Sequence, residues 1–252
     1  MSLKLWVFRF FVLVAEIIIT YAVFNALSTD VGLQADFTWH PILMTVGFAG
    51  FMNEGLLQYY LGDLDQKKRS ESRIGHGMFQ ILCCACVLGG YIAIFRAHEK
   101  GQKSQFWSPG TPFIKVVHVC IGYVAVLMVL LQFVIGLIKL WAKLRRDESM
   151  YKWHGYSGIT VYFLGMFNIL LGCIFWDSKT WVDGWSKTFA ILCVFLLFCS
   201  LFYVQWLRNG AQNAHSASMM KLTASNEGSD NFYAGAGGGK YTDNDDGFKE
   251  AF

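Results

Sequence analysis

Charge is what this sequence has least of. Asp, Glu, Lys and Arg together make up 15% of its 252 residues, where a soluble domain carries about a quarter. The chain therefore lacks the means to clothe a water-facing surface, while 54% of it is hydrophobic and 17% aromatic. Its loops lack cysteine as well. All seven thiols (Cys83, Cys84, Cys86, Cys120, Cys173, Cys193 and Cys199) fall inside apolar stretches, which excludes the disulfide framework of a secreted domain. The run "CCAC" at 83–86 places thiols at i, i+1 and i+3 of a helix. They do not converge on one metal ion there, and they read as small apolar side chains. Also missing are a nucleophile with its base, a paired general acid and base, and a phosphate-binding loop. No nucleic-acid partner is expected.

What is present is six long apolar runs, at about residues 5–27, 37–60, 76–97, 113–138, 154–176 and 185–207. About 20 apolar residues span the ~30 Å hydrocarbon core of a bilayer. Lipid offers no partner to a bare peptide group, so each run is expected to be a helix. The fold class is all-α, a six-helix membrane bundle over residues 1–208. The first run carries Lys4 and Arg9 ahead of its apolar core, as a signal peptide would. Glu16 within that core and the lack of a small-x-small cleavage site point to a retained helix. Twelve basic residues fall on one side of the bundle and six on the other, which places both termini in the cytosol. The nine tryptophans lie near the expected interfaces, as an aromatic belt should. After residue 208 the sequence turns rich in Gly, Asn, Ser and Asp. Residues 209–252, His215 included, are expected to be a disordered cytosolic tail.

Ionisable groups at membrane depth are costly and default to function. Four of the six histidines open a predicted helix: His40 the second, His76 the third, His118 the fourth and His154 the fifth. Helix direction alternates, so His40 and His118 belong to one membrane face and His76 and His154 to the other. Members of each pair are 78 residues apart, and the steps His40 to His76 and His118 to His154 are both 36. Two imidazoles at each of two levels suit bis-histidine haem, a flat group that slots between helices. Gly47, Gly122 and Gly158 stand on their histidines' faces and Gly75 and Gly77 flank His76, where such a plate needs room. Zinc would want three or four ligands at one level. A proton or solute transporter using a histidine relay without haem is the alternative from another class, and it does not require matched pairs. A membrane scaffold whose histidines only join helices is a third reading.

The motifs "WHP" at 39–41, "RIGHG" at 73–77, "KVVHVCIGY" at 115–123 and "YKWHGYSG" at 151–158 resemble those of the cytochrome b561 family of transmembrane electron carriers. The resemblance runs through the four central helices, about residues 37–176. It implies two haem b groups between those helices, one held by His40 with His118 and one by His76 with His154. It also implies that His98, in the loop sequence "RAHEKG", is not a ligand. Members generally pass an electron from cytosolic ascorbate to monodehydroascorbate or ferric iron on the far side, making this chain a transmembrane oxidoreductase. Where better-known ascorbate-using members carry stretches like "ALLVYR" and "SLHSW", this chain has "GLLQYY" at 55–60 and "VVHVC" at 116–120. "WHPILM" and "NEGLL" are closer to the small stand-alone branch.

Cations stand near both cytosolic ligands: Arg73 before His76, and Arg146 and Lys152 before His154. They are candidate binding residues for anionic ascorbate or a haem propionate. The bland reading is that they follow the positive-inside rule, which by itself accounts for Lys67 and Lys139. Lys115, three residues before His118, is the candidate on the opposite face, against the alternative of a snorkelling lysine. Glu54 lies 14 residues after His40, about 21 Å further along a helix. That puts it near the cytosolic ligands as a candidate acceptor for the proton ascorbate loses, against an interfacial carboxylate satisfied by water. Asn168 reads as an interhelical hydrogen bond. Glycine-rich helix surfaces make a homodimer compatible with the sequence.

Overall fold

The computed structural model describes residues 3–63, 69–104, 110–146, 153–175 and 194–203, with single positions between 188 and 213. Among the described residues the regular structure is helical: α1 (Leu3–Asp30), α2 (Asp36–Thr45), a π-helical segment (Val46–Met52), α3 (Asn53–Asp63), α4 (Arg69–Lys100), α5 (Phe113–Arg146) and α6 (His154–Phe175). A shorter apolar helix, α7, covers Val194–Tyr203. All lie in one compact unit, Met1–Val204, and Gln205–Phe252 make a second. Most of the tail expected at 209–252 falls outside the described residues.

Four segments are long and apolar enough to cross a bilayer as single helices: Trp6–Asp30, Glu71–Lys100, Phe113–Ala142 and His154–Ile174. The expected second span is a composite. From Asp36 to Asp63 the chain is helical throughout, but the seven residues VGFAGFM wind as a π-helix between α2 and α3. Such a segment inserts extra residues into the turn and resets the helical register of the residues beyond it. Small side chains permit it here. A Cβ at Gly47 would stand 3.3 Å from both Cys86 Cβ and Val87 Cγ2, so the π segment presses its backbone against α4. Of the expected sixth span, only α7 and a few single positions are described.

The turn into α2 fixes where His40 sits. Gly32 adopts φ +85°, a left-handed conformation favourable to glycine, and its N–H bonds back to Leu27 O at 3.0 Å to close α1. Thr38 Oγ1 donates to Gly32 O at 2.7 Å and Trp39 Nε1 to Leu33 O at 3.2 Å. Asp36, at the start of α2, is ion-paired with Lys100 at the end of α4, and the hydrogen bond from that ammonium holds its carboxyl below the usual carboxylate range.

α2 and α3 pack along α4, and α5 packs along α6. Ile19, Leu57, Val87, Val161, Met166 and Leu197 are among the fully enclosed side chains of one continuous core. Apolar side chains also cover the outside: Phe11, Ile17, Ile81, Leu127, Val134 and Leu140 are all exposed. In water such a surface would be a liability, and in a bilayer it is the lipid-facing wall. The protein is an integral, multi-pass membrane protein.

Candidate functional site

His40, in the first turns of α2, shares a hydrogen bond through Nδ1 with Gly90 O of α4 at 3.0 Å. His118, in α5, makes the equivalent contact to Asn168 O of α6 at 3.0 Å. A peptide oxygen can only accept, so each Nδ1 carries the proton and each Nε2 presents a lone pair, the form that ligates a metal. The two rings stand 6.4 Å apart, centroid to centroid, and perpendicular. Two metal–imidazole bonds of about 2 Å each, together with the ring radii, come to roughly this separation. His40 and His118, 78 residues apart in the chain, therefore stand side by side in the fold.

His76, in α4, uses its Nδ1 in the same way, donating to Gly55 O of α3 at 2.9 Å, with the Tyr59 ring 5.5 Å away. His154 opens α6. It is close enough to His76 for a charge on that ring to be felt at His154, and the Lys139 ammonium of α5 acts on both rings. His154 Nδ1 is buried and has no hydrogen-bond partner among the described residues. Fourteen residues separate His76 from Gly90 on α4 and His154 from Asn168 on α6, so the two levels lie about 21 Å apart along either helix.

The donor set fits haem b. Both levels offer neutral imidazoles on facing helices, and three of the four have the carbonyl partner that orients a ligating ring and raises its basicity. Among the described residues no cluster of three or more His, Cys, Asp or Glu forms an alternative metal centre.

The glycines divide differently from the sequence reading. Gly47 serves close packing of the π segment on α4, and a Cβ at Gly122 would stand 3.0 Å from Asn168 Nδ2. Gly75 packs on Gln58, while Gly77 and Gly158 face open space. The glycines bordering the rings come from the opposite helices. A Cβ at Gly172 would lie 3.5 Å from His118 Cε1, and one at Gly136 would lie 3.6 Å from His154 Cε1. Asn168 contributes to the site through its main chain, holding His118, and its side chain sits against Gly122.

The charged candidates also separate. Arg73 is exposed on α4, and its charge acts on Lys139. Lys139, read from the sequence as a topology signal alone, is thus a cation at the His76–His154 level. Lys115 is exposed one turn before His118 and its charge reaches that ring. Arg146 ends α5, with its side chain outside the described residues, as is the whole of Lys152. Glu54 is ion-paired with Arg9 of α1, whose Nη1 also donates to Gln58 Oε1 at 3.3 Å. His98 lies within the last turn of α4 rather than in a loop, and its charge acts on His40. The helix simply continues through "RAHEK", past the point where its apolar run ends.

The sequence profile of eukaryotic cytochrome b561 matches residues 39–177, which contain all four histidines. The chain is 31% identical over 169 residues to the transmembrane reductase CYB561D2 of Mus musculus, covering 64% of this chain and 71% of that one. Its identity to human CYB561D2 is also 31%, over 166 residues, with 62% and 69% covered. The mouse lysosomal membrane ascorbate-dependent ferrireductase CYB561A3 is 23% identical over 139 residues, 54% of each chain. With two facing imidazoles on a helical membrane scaffold and this profile spanning more than half its length, the chain belongs to the cytochrome b561 family, as a membrane oxidoreductase that binds haem b and moves electrons across a bilayer.

Proposed function

We propose that the protein binds two b haems, one between His40 and His118 and one between His76 and His154. It would carry single electrons from cytosolic ascorbate to monodehydroascorbate or ferric iron on the other side. The observation that carries this reading is the 6.4 Å, perpendicular approach of His40 and His118, with each Nδ1 tied to a carbonyl of the partner helix. Haem would supply a one-electron couple, held at each level by the two imidazoles. The chain's residues supply depth, ring orientation and access.

The basic balance of the loops puts the His76–His154 level on the cytosolic side, with both termini. Lys139 and Arg73 give that level a positive field, which favours approach of an anionic reductant and lowers the cost of accepting an electron. Lys115 does the same for a monodehydroascorbate anion or a ferric chelate at the opposite face. CYB561A3, named for ascorbate dependence and ferric reduction, is a distant relative that agrees with this choice of donor and acceptor.

The test is a reduced-minus-oxidised visible spectrum of the purified protein with a haem-to-protein count, using ascorbate first and dithionite second. Two haems per chain, with a substantial fraction reduced by ascorbate, are expected. One haem per chain, or haem that responds to dithionite alone, would overturn the two-haem or the donor assignment respectively.

A further inference from the structure

The membrane interior holds a second polar cluster that the haem reading does not use. Glu16 lies midway along α1 and is 6% exposed. It accepts a hydrogen bond from Asn53 Nδ2 at 2.7 Å, and Asn53 is fully enclosed. The other end of that amide, Asn53 Oδ1, is a buried acceptor with no donor among the described residues. An orphaned acceptor in a dry site is unfavourable, because it has given up its hydrogen bond to water for nothing. A carboxylate beside it cannot help, since it too can only accept, whereas a protonated carboxyl carries one O–H. An amide and a carboxylic acid side by side satisfy each other, one N–H and one O–H exchanged.

The distribution of charge leads to the same place. Among the described residues, the groups around Glu16 are Arg9 of its own helix, Glu54 of α3 and Tyr162 of α6, whose hydroxyl donates to Leu197 O at 3.3 Å. Arg9 is already ion-paired with Glu54, so two carboxyl groups share one cation. Glu16 also borders an open, largely apolar groove whose other polar lining residues are Thr20 and Tyr21. A carboxyl in such a place changes its charge only with a compensating change of charge nearby.

We propose that Glu16 and Asn53 form a proton-binding site inside the membrane, linked to the electron at the His76–His154 level. In the loaded site Glu16 is the neutral acid, its O–H donating to Asn53 Oδ1. The link is three consecutive residues of α3: Asn53 binds Glu16, Glu54 binds Arg9, and Gly55 O holds the Nδ1–H of His76. One electron arriving at that level adds one negative charge to a dry region. One proton bound by Glu16 compensates it, drawn from water at the Arg9 and Gln58 end of the cluster and returned to that same water when the electron moves on. The coupling rests on the haem reading; the proton site itself does not.

Redox-difference infrared spectroscopy of the full-length haem-loaded protein tests both parts, with E16Q and N53L as the variants and D2O exchange to identify the protonated carboxyl band. A carboxylic acid band that gains intensity on reduction, shifts in D2O, disappears in E16Q and moves in N53L is the expected result. E16Q is expected to retain the wild-type haem count, since Gln keeps one acceptor and supplies the missing donor. The midpoint potential of its His76–His154 level should lose pH dependence, a slope that for full one-proton coupling is about 59 mV per tenfold change in proton concentration. Absolute spectra showing no band assignable to Glu16 in either redox state would overturn the site. A Glu16 band that reduction leaves unchanged would overturn the coupling alone. Failure of the haem reading is seen separately, as a missing haem in the visible spectrum.

Discussion

His118 has two ring nitrogens with different tasks: Nδ1 donates to the Asn168 carbonyl, and Nε2 is the atom that would hold a haem iron. Replacing it by Ala leaves that carbonyl unpaired and removes one imidazole of the pair. H118A is expected to lose one haem of the two while keeping the other, which a haem-to-protein count and a halved reduced-minus-oxidised amplitude would report; loss of both, or of neither, would break the assignment of ligands to levels. Lys139 offers a finer test. A positive charge beside His76 and His154 favours the state with the extra electron. K139M should lower the midpoint potential of that level by on the order of 50 mV, about 1 kcal/mol for one electron, and leave the other level unmoved in a potentiometric titration. The histidines were legible in the sequence because their spacing repeats and because imidazole has no cheap role in lipid. Lys139 was not, since a cation near the cytosolic end of a span looks like any other positive-inside residue until the fold brings α4, α5 and α6 together around it.

At the scale of elements, the packing of the π segment sets tolerances that the sequence does not display. A Cβ at Gly165 of α6 would overlap the Phe48 ring. G165A is expected to destabilise the bundle by about 1–3 kcal/mol, as overpacking does, and F48L should recover part of that loss in thermal unfolding of the double variant. Additive effects would mean the two do not meet. The contact between the ends of α2 and α4 has a pH signature. Lys100 depresses the acidity range of Asp36, so the ion pair is complete above the ordinary carboxylate range and is lost as pH falls through the lowered value. D36N should abolish that acid-side change in melting temperature, with no more than a small effect at neutral pH because the pair is solvent-exposed. Among the described residues, the existence of the four long helices was readable from the length of their apolar runs. The π winding of Val46–Met52 and the continuation of α4 through His98 were not, because both depend on which faces of distant segments meet. The carbonyl partners of His40, His76 and His118 are invisible to sequence for the same reason: any residue type presents a peptide oxygen.

For the whole molecule, orientation is the open quantity that function depends on. With the His76–His154 level facing the cytosol, the turn after α4 must lie across the membrane from the start of α1. A single cysteine introduced at Gln102, which sits in that turn at φ 51°, should react with a membrane-impermeant maleimide added from the non-cytosolic side of sealed vesicles and be protected from the cytosolic side. The opposite pattern would reverse the direction of electron flow. The two proposed levels, about 21 Å apart along α4 and α6, are useful to an electron carrier only in such a vectorial arrangement.

Three of the four imidazoles give their Nδ1–H hydrogen bond to a main-chain carbonyl, at Gly90, Gly55 and Asn168. A tautomer fixed by a peptide group cannot be altered by exchanging a side chain; only a shift of the helix itself can do so. Lineages can therefore replace most of the surrounding residues and keep the ring electronics unchanged. To retune a potential they must work through neighbouring charges, and His154, whose Nδ1 has no such tether among the described residues, is the position where a single new side chain could do it.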